Sequence, residues 1–136
     1  MYYVPDSNTF SAIVRRVPHI LHRYEQLIQT EAEFLICPAV YYEVSRGFKK
    51  LNATRQLSFL QRTTTLFQWQ ELEREDWEQA ATLWANLEKD GLPIGDMDIL
   101  IAIFATRRNG MIVTSNRRHF NILASYISLQ HENWFA

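Results

Sequence analysis

Four carboxylate side chains occur at positions where the fold could gather them into one site. Asp6 directly follows a short apolar run, and Asp96 and Asp98 open a strongly apolar helical stretch. Glu43 lies about one turn into the helix predicted after the second apolar run. In open parallel sheets, ligand sites lie beyond the carboxyl ends of the strands, where loops and helix N-termini converge. We therefore expect these four side chains to meet at one edge of a sheet.

Carboxylates that converge repel one another at neutral pH, and a cation among them relieves the repulsion. Without His or Cys partners, such a set suits a hard ion, so Mg²⁺ or Mn²⁺ is expected rather than zinc. Three of the acids also have ordinary structural roles open to them. Asp96 can cap its helix, Asp98 can interact favourably with the helix dipole, and Glu43 can lie on a helix surface at the border of the core.

Short apolar runs alternate with helical patterns along the chain, and these elements must position the acids. Strands are predicted at 1–4, 33–37, 67–72, 111–114 and 126–129, with 67–72 at an edge. Helices are predicted from position 7, over 18–29, from 38, after a cap at 52, over 75–89 and over 97–108. Strands that alternate with helices indicate an α/β fold, whose mainly parallel central sheet is covered on both faces.

Two helices carry more detailed expectations. Ser7 or Asn8 is expected to cap the first helix, and Asp96 is expected to cap the helix over 97–108. That second helix is apolar nearly all round, which predicts that it is buried. The apolar face predicted for the helix over 75–89 comprises Trp77, Ala80, Ala81, Trp84 and Leu87.

The composition is that of one folded domain spanning 1–136. Of the 136 residues, 47% are hydrophobic and 21% are charged, a balance unlike that of disordered or fibrous chains. The chain contains no apolar stretch long enough for a membrane span and no signal-peptide pattern, so we expect a cytoplasmic protein. Cys37 is the only cysteine. We expect it to be a small buried side chain.

The overall charge provides no general attraction to nucleic acid. Fourteen Lys and Arg residues against fifteen Asp and Glu residues give a formal net charge of −1. Any contact with RNA must therefore be local. Basic residues do occur in adjacent pairs, at 15–16, 49–50, 107–108 and 117–118. Such pairs are more often a solvated helix face than a binding surface.

Four motifs carry a resemblance to a known family. Asp6-Ser7-Asn8, after the first strand, resembles the opening of PIN-domain toxins of the VapC kind. The segments 38–44 (PAVYYEV), 93–102 (PIGDMDILIA) and 113–120 (VTSNRRHF) are similar to their second, third and fourth motifs. The match runs in order along the whole chain and closes on an aromatic stretch near Trp134. The resemblance implies a three-layer α/β/α PIN-like domain.

The resemblance also implies a metal-dependent endoribonuclease. Its catalytic residues would be Asp6, Glu43 and Asp98, which with Asp96 would hold Mg²⁺ or Mn²⁺. The ion would lower the pKa of a bound water that attacks the phosphodiester. The polar residues implied to support this site are Ser7, Asn8, Thr114 and Asn116. The residues expected to contact RNA are Arg46, Lys49, Arg117 and His119. Implied partners are RNA of the tRNA or ribosomal class, a cognate antitoxin and a second copy of the chain.

One position departs from the family pattern. Many relatives carry an Asp or Glu just before the Phe of the fourth motif, where this chain has His119. The fourth acid is then absent, and His119 either binds a phosphate or is structural. The departure keeps an alternative open: a PIN-like scaffold that binds RNA or protein without cutting.

Two other enzyme classes place an Asp after the first strand. A haloacid-dehalogenase-like phosphatase needs a second Asp two residues later, where this chain has Asn8. A receiver domain needs a Lys after a later strand, and the segment MIVTSN contains none. The sequence therefore argues against both classes.

Overall fold

The computed structural model describes residues 1–135, which form five strands and seven helices. In chain order the elements are β1 (Tyr2–Pro5), α1 (Ser7–Val14), α2 (Pro18–Gln29), β2 (Glu33–Ile36), α3 (Pro38–Lys50), α4 (Thr54–Leu66), β3 (Gln68–Trp69), α5 (Arg74–Lys89), α6 (Asp96–Arg107), β4 (Gly110–Val113), α7 (Arg117–Ala124) and β5 (Gln130–Glu132).

The five strands form one sheet in the order β3-β2-β1-β4-β5, and every neighbouring pair is parallel. The helices flank this sheet, which confirms the predicted three-layer α/β architecture. Strands β2, β1 and β4 occupy its centre. Their side chains at Val4, Leu35, Ile36, Ile112 and Val113 are fully buried. Burial on both faces explains why these strands are continuous apolar runs without alternation.

The strand boundaries differ from the prediction at both edges of the sheet. β3 has only two residues, because the chain just after it is held by Arg108, whose Nε donates to Gln70 Oε1 at 2.8 Å. The last strand lies at Gln130–Glu132 rather than at 126–129. The amides of Tyr126 and Ile127 donate to Leu123 O instead, so these residues finish α7. The edge position predicted for β3 is confirmed.

The predicted buried face of α5 is partly wrong. Trp77 and Trp84 are 52% and 47% exposed. The buried positions of α5 are Asp76, Ala80, Leu83 and Leu87. Ala80 and Leu87 are therefore buried as predicted, whereas the rest of the buried face is formed by Leu83 and Asp76 and not by the two tryptophans.

Helix α6 is buried as predicted, with Ile99 and the whole run 101–105 inaccessible to solvent. It has twelve residues. No helix within residues 1–135 combines the length and apolar character needed to cross a bilayer. The prediction of a cap at Asn52 is wrong, because Asn52 adopts a left-handed conformation (φ 51°) and Ala53 is the N-cap of α4.

A buried ion-pair cluster joins the start of α5 to the end of α6. Asp76 is fully buried, and its carboxylate accepts from Arg107 at 2.8 Å and from Arg108 at 2.9 Å. The Arg108 guanidinium also lies 4.0 Å from the centre of the Phe104 ring. Burial alone would raise the pKa of Asp76, but hydrogen bonds from Arg108, Arg107 and the Glu73 amide outweigh it and lower the pKa to about 2.

The Asp76 cluster makes stability depend on acid pH. Because the folded pKa lies below the ordinary value of 3.8, the contribution is complete above about pH 4 and lost as the pH falls toward 2. We expect the difference in free energy of unfolding between wild type and Asp76→Asn to shrink by roughly 2 kcal/mol over that interval. Urea titrations at pH 7, 4 and 2.5 measure it. A difference that does not change with pH would contradict this prediction.

The space around two glycines predicts opposite effects on stability when each is replaced by alanine. A Cβ on Gly110 would lie 2.7 Å from Cγ2 of the buried Val4, whereas a Cβ on Gly47 would meet nothing within 4 Å. We expect Gly110→Ala to lower the free energy of unfolding by about 1–3 kcal/mol through overpacking. Gly47→Ala, in the interior of α3, should raise it by about 0.5–1 kcal/mol. Chemical denaturation distinguishes the two, and equal effects would refute the assignment.

Candidate active site

Asp6 lies at the carboxyl end of β1, where the sequence predicts it. Its amide continues the sheet by donating to Val113 O at 2.9 Å. Its side chain turns back, and Oδ1 accepts from the Thr9 amide at 2.9 Å. Asp6 is therefore the N-cap of α1, and the prediction of a cap at Ser7 or Asn8 is wrong.

The Asp6 carboxyl group is 5% exposed and lies near a second acid. Its pKa is raised, first because burial penalises the charged form. Hydrogen bonds with Thr114 and Thr9 lower the pKa, while the negative charge of Asp98 adds to the increase. The structure thus brings Asp6 and Asp98, two of the predicted acids, within electrostatic reach of each other.

Asp98 is the third residue of α6, and its carboxylate contacts His119. The distance from Asp98 Oδ2 to His119 Nδ1 is 2.7 Å, so a proton must lie between the two atoms. Nδ1 also lies 2.8 Å from Asn116 Nδ2. One nitrogen cannot donate to the carboxylate and accept from the amide together. The shorter contact, to a charged acceptor, indicates that His119 Nδ1 donates to Asp98.

The start of α7 positions the imidazole. Asn116 is the N-cap of this helix, and its Oδ1 accepts from the His119 amide at 3.3 Å. The backbone amide of Asn116 donates to Thr114 Oγ1 at 2.9 Å. Thr114 is fully buried, and its side chain is one of the groups that lower the pKa of Asp6. The predicted supporting residues Thr114 and Asn116 therefore link the two acids through one chain of contacts.

Glu43 and Asp96 occupy different surroundings from Asp6 and Asp98. Glu43 borders a groove of about 440 Å³ that is also lined by Ser7 and Asn8, and it pairs with Arg46 at 3.6 Å. Asp96 borders a separate hollow beside Trp77 and Trp84. Residues two apart on a helix do not share a face, so the structure does not bring Asp96 to Asp98. The role of Asp96 in metal binding stays a prediction.

The residues expected to contact RNA differ in how accessible they are. Lys49 and Arg117 are exposed. Arg46, besides its ion pair with Glu43, lies over the Tyr42 ring at 5.0 Å. His119 directs Nδ1 at Asp98, which leaves only its Nε2 for another partner.

The residues present suit Mg²⁺ or Mn²⁺, although residues 1–135 contain no group of three His, Cys, Asp or Glu side chains close enough to hold an ion. Mg²⁺ keeps several waters and needs only one or two carboxylates, the rest of its shell coming from waters and substrate phosphates. Asp6 and Asp98 provide two such carboxylates. Beside Asp6, Ser7 Oγ is buried without a hydrogen-bond partner among the described residues, which leaves a further oxygen for a bound water.

Sequence reasoning missed Thr9 and the contact between His119 and Asp98. Thr9 is fully buried, caps nothing itself, and donates its hydroxyl to Val113 O at 2.9 Å. An Asp three residues before a Thr at a helix start was the available signal for the cap. The histidine contact joins residues 21 apart, and local sequence carries no signal for it.

The comparisons with known proteins identify the family. The model of the family described as PIN domain matches residues 3–124. The chain belongs to the PIN-domain family. It matches none of the curated proteins.

Solved structures share the fold over almost the whole chain. A chain of VapBC2 from Rickettsia felis, bound to a promoter DNA fragment, superposes with a TM-score of 0.84 at 25% identity, covering 98% of this chain and 99% of that one. A chain of DNA-bound VapBC from Salmonella typhimurium gives 0.83 at 23% identity, with 98% of each covered. VapBC-1 from nontypeable Haemophilus influenzae gives 0.82 at 23%, with both chains fully covered.

Two substitutions separate the role of Asp6 as the N-cap of α1 from the role of its negative charge. Asp6→Asn keeps a side-chain oxygen that can accept from the Thr9 amide, so its free energy of unfolding should stay within about 0.5 kcal/mol of wild type. Asp6→Ala removes the acceptor and should lose about 1 kcal/mol. Urea denaturation without added metal measures both. If the two variants lose the same stability, Asp6 is not held in place by capping.

Proposed function

We propose that this chain is a Mg²⁺- or Mn²⁺-dependent endoribonuclease and the VapC-like toxin of a toxin-antitoxin pair. The observation that carries the proposal is the approach of Asp98 to the buried Asp6 at the carboxyl end of β1, within a PIN domain. Two acids brought near each other, one of them buried, oppose stability unless a cation compensates them. Such an arrangement is typical of functional sites.

Each residue of the site has a distinct proposed task. Asp6 and Asp98 would hold the ion, and Glu43 would reach it from the groove between α1 and α3. His119 donates to Oδ2 of Asp98, which orients that carboxylate and leaves Oδ1 as the oxygen that would face the ion. When bound, Mg²⁺ or Mn²⁺ would supply Lewis-acid charge and favour ionisation of water.

The proposed reaction is hydrolysis of an RNA phosphodiester. Water adds to phosphorus, its proton is lost to solvent, and the 3′-oxygen leaves and takes up a proton. The products carry a 5′-phosphate and a 3′-hydroxyl. Lys49 and Arg117, both exposed, would hold flanking phosphates. We propose tRNA or ribosomal RNA as the class of substrate.

Similarity to chains of VapBC complexes supports an antitoxin as the protein partner. We extend the proposal to a homodimer that works in the cytoplasm. The alternative function, a scaffold that binds RNA or protein without cutting, is favoured by one observation: His119 already occupies one oxygen of Asp98.

Cleavage of RNA by the purified, partner-free chain tests the proposal. Wild type should cut total tRNA or ribosomal RNA with Mg²⁺ or Mn²⁺ and stop in EDTA. Asp98→Asn should lose on the order of 100-fold or more in rate, as when one electrostatic contact to a reacting group is removed. Asp90→Asn makes the same chemical change at an exposed acid outside the proposed site, so it is the matched control and should stay active.

Two results would count against this assignment. If Asp90→Asn is as inactive as Asp98→Asn, the loss follows from removing an acidic charge anywhere and not from the proposed site. If wild type and Asp98→Asn are equally inert on both RNA classes with either metal, the scaffold function replaces the nuclease.

A further inference from the structure

The net charge of −1 conceals a strong separation of charges along the chain. Residues 44–70 contain five Lys and Arg residues and no Asp or Glu, whereas residues 71–98 contain nine acids and two basic residues. The basic residues of the first segment are Arg46, Lys49, Lys50, Arg55 and Arg62. All five lie exposed on α3 and α4. The exposed surfaces of α3 and α4 therefore carry five positive charges, although the total charge of the chain is close to zero.

Three arginines converge on a single aromatic ring at this surface. The guanidinium carbons of Arg16, Arg55 and Arg62 lie 5.7, 5.6 and 5.6 Å from the centre of the Phe59 ring. We name these three side chains the arginine cluster. Contact with the ring favours each cation by about 0.5–1 kcal/mol at an exposed site, which offsets part of their mutual repulsion. Among the described residues, no carboxylate forms an ion pair with the cluster.

The backbone at Arg16 indicates that the cluster is not a by-product of helix formation. Arg16 adopts a left-handed conformation (φ 60°) just after α1, and the Val17 amide closes the helix end by donating to Ala12 O at 3.0 Å. Glycine is the residue that this position favours, because any side chain there adds about 1 kcal/mol or more of strain. The chain instead places a guanidinium group there, over Phe59.

A groove lined by both Glu43 and Arg15 leads from the side of the candidate active site toward the arginine cluster. The groove of about 440 Å³ between α1 and α3 is lined at one end by Ser7 and Glu43 and further along by Gly47, Leu51 and Arg15. Arg15 is the neighbour of Arg16 in the cluster.

We infer that the arginine cluster binds the phosphates of single-stranded RNA that leaves the active site through this groove. The inference rests on the proposed function and adds where the substrate lies. Exposed guanidinium groups without carboxylate partners match a phosphate backbone in charge and geometry. Three guanidinium groups lie within 6 Å of the centre of the Phe59 ring and compete with a base for contact with it. Binding here should therefore depend on phosphates and not on sequence.

Binding of a labelled RNA in EDTA tests the inference without any cleavage. The probe is a fluorescein-labelled, single-stranded 20-nucleotide RNA of mixed sequence, titrated with Asp98→Asn protein at 50–200 mM salt. Adding Arg16→Gln, Arg55→Gln and Arg62→Gln together should weaken binding on the order of tenfold at 100 mM salt and reduce the salt slope by about 2. Replacing the same three with Lys keeps the charge and should restore most of that slope.

The matched control removes three exposed charges elsewhere on α2 and α5, through Arg23→Gln, Arg74→Gln and Lys89→Gln. It should leave the salt slope unchanged. The inference is overturned if the cluster variant keeps the wild-type slope or if the control loses as much. It is also overturned if the cluster variant binds RNA normally but loses binding to poly-glutamate, since the cluster would then serve an acidic protein. If wild type cleaves RNA in a way that depends on Asp98 but the cluster variant keeps the wild-type salt slope, the inference about the arginine cluster is wrong and the proposed function still stands.

Discussion

The parallel pairing of β1 with β4 continues one residue past the end of β1, through the hydrogen bond from the Asp6 amide to Val113 O, at the last residue of β4. This contact orients the first residue beyond β1 so that its carboxylate faces the start of α1 and the residues after β4. The Thr9 hydroxyl donates to the same Val113 carbonyl, so the strand end and the helix start are joined at one atom. Gly110, whose Cβ would lie 2.7 Å from Val4 Cγ2, allows β4 and β1 to pair without overpacking at this point.

Much of the fold could be predicted from the sequence, because the central elements are recognisable from their apolar character and from their length. β1 and β4 are short runs without charged residues, and β2 is apolar after Glu33. α6 is apolar from Ile99 to Ala105, a length that no strand reaches. The edges were harder to predict. β5 is Gln130-His131-Glu132, which has no strand pattern. It forms because Thr114 donates its amide to Glu132 O at 3.0 Å and β4 supplies a free edge. Helix α7 was not predicted, since only Phe120 and Leu123 in it are buried.

The sequence could identify individual residues of the candidate site but not their arrangement in space. A strand followed by an acid locates Asp6, and a motif locates Asp98. Sequence proximity then misleads, because Asp96 is only two residues from Asp98 yet lies on another face of α6. Long-range contacts decide the remainder. His119 meets Asp98 only because α7 packs against α6, and Asp76 is buried only because two arginines from α6 neutralise it.

The contact of Asp98 with His119 determines when the Asp98 side chain becomes ordered. A carboxylate at a helix start normally samples several rotamers, and fixing it when a ligand arrives lowers affinity by the entropy that is lost. Here the contacts that join Thr114 to Asn116 and Asn116 to His119 hold the imidazole in place, and the imidazole in turn holds Asp98 once α7 has formed. The site is therefore preorganised: the loss of side-chain freedom belongs to folding, and a ligand meets a carboxylate that already has its final orientation.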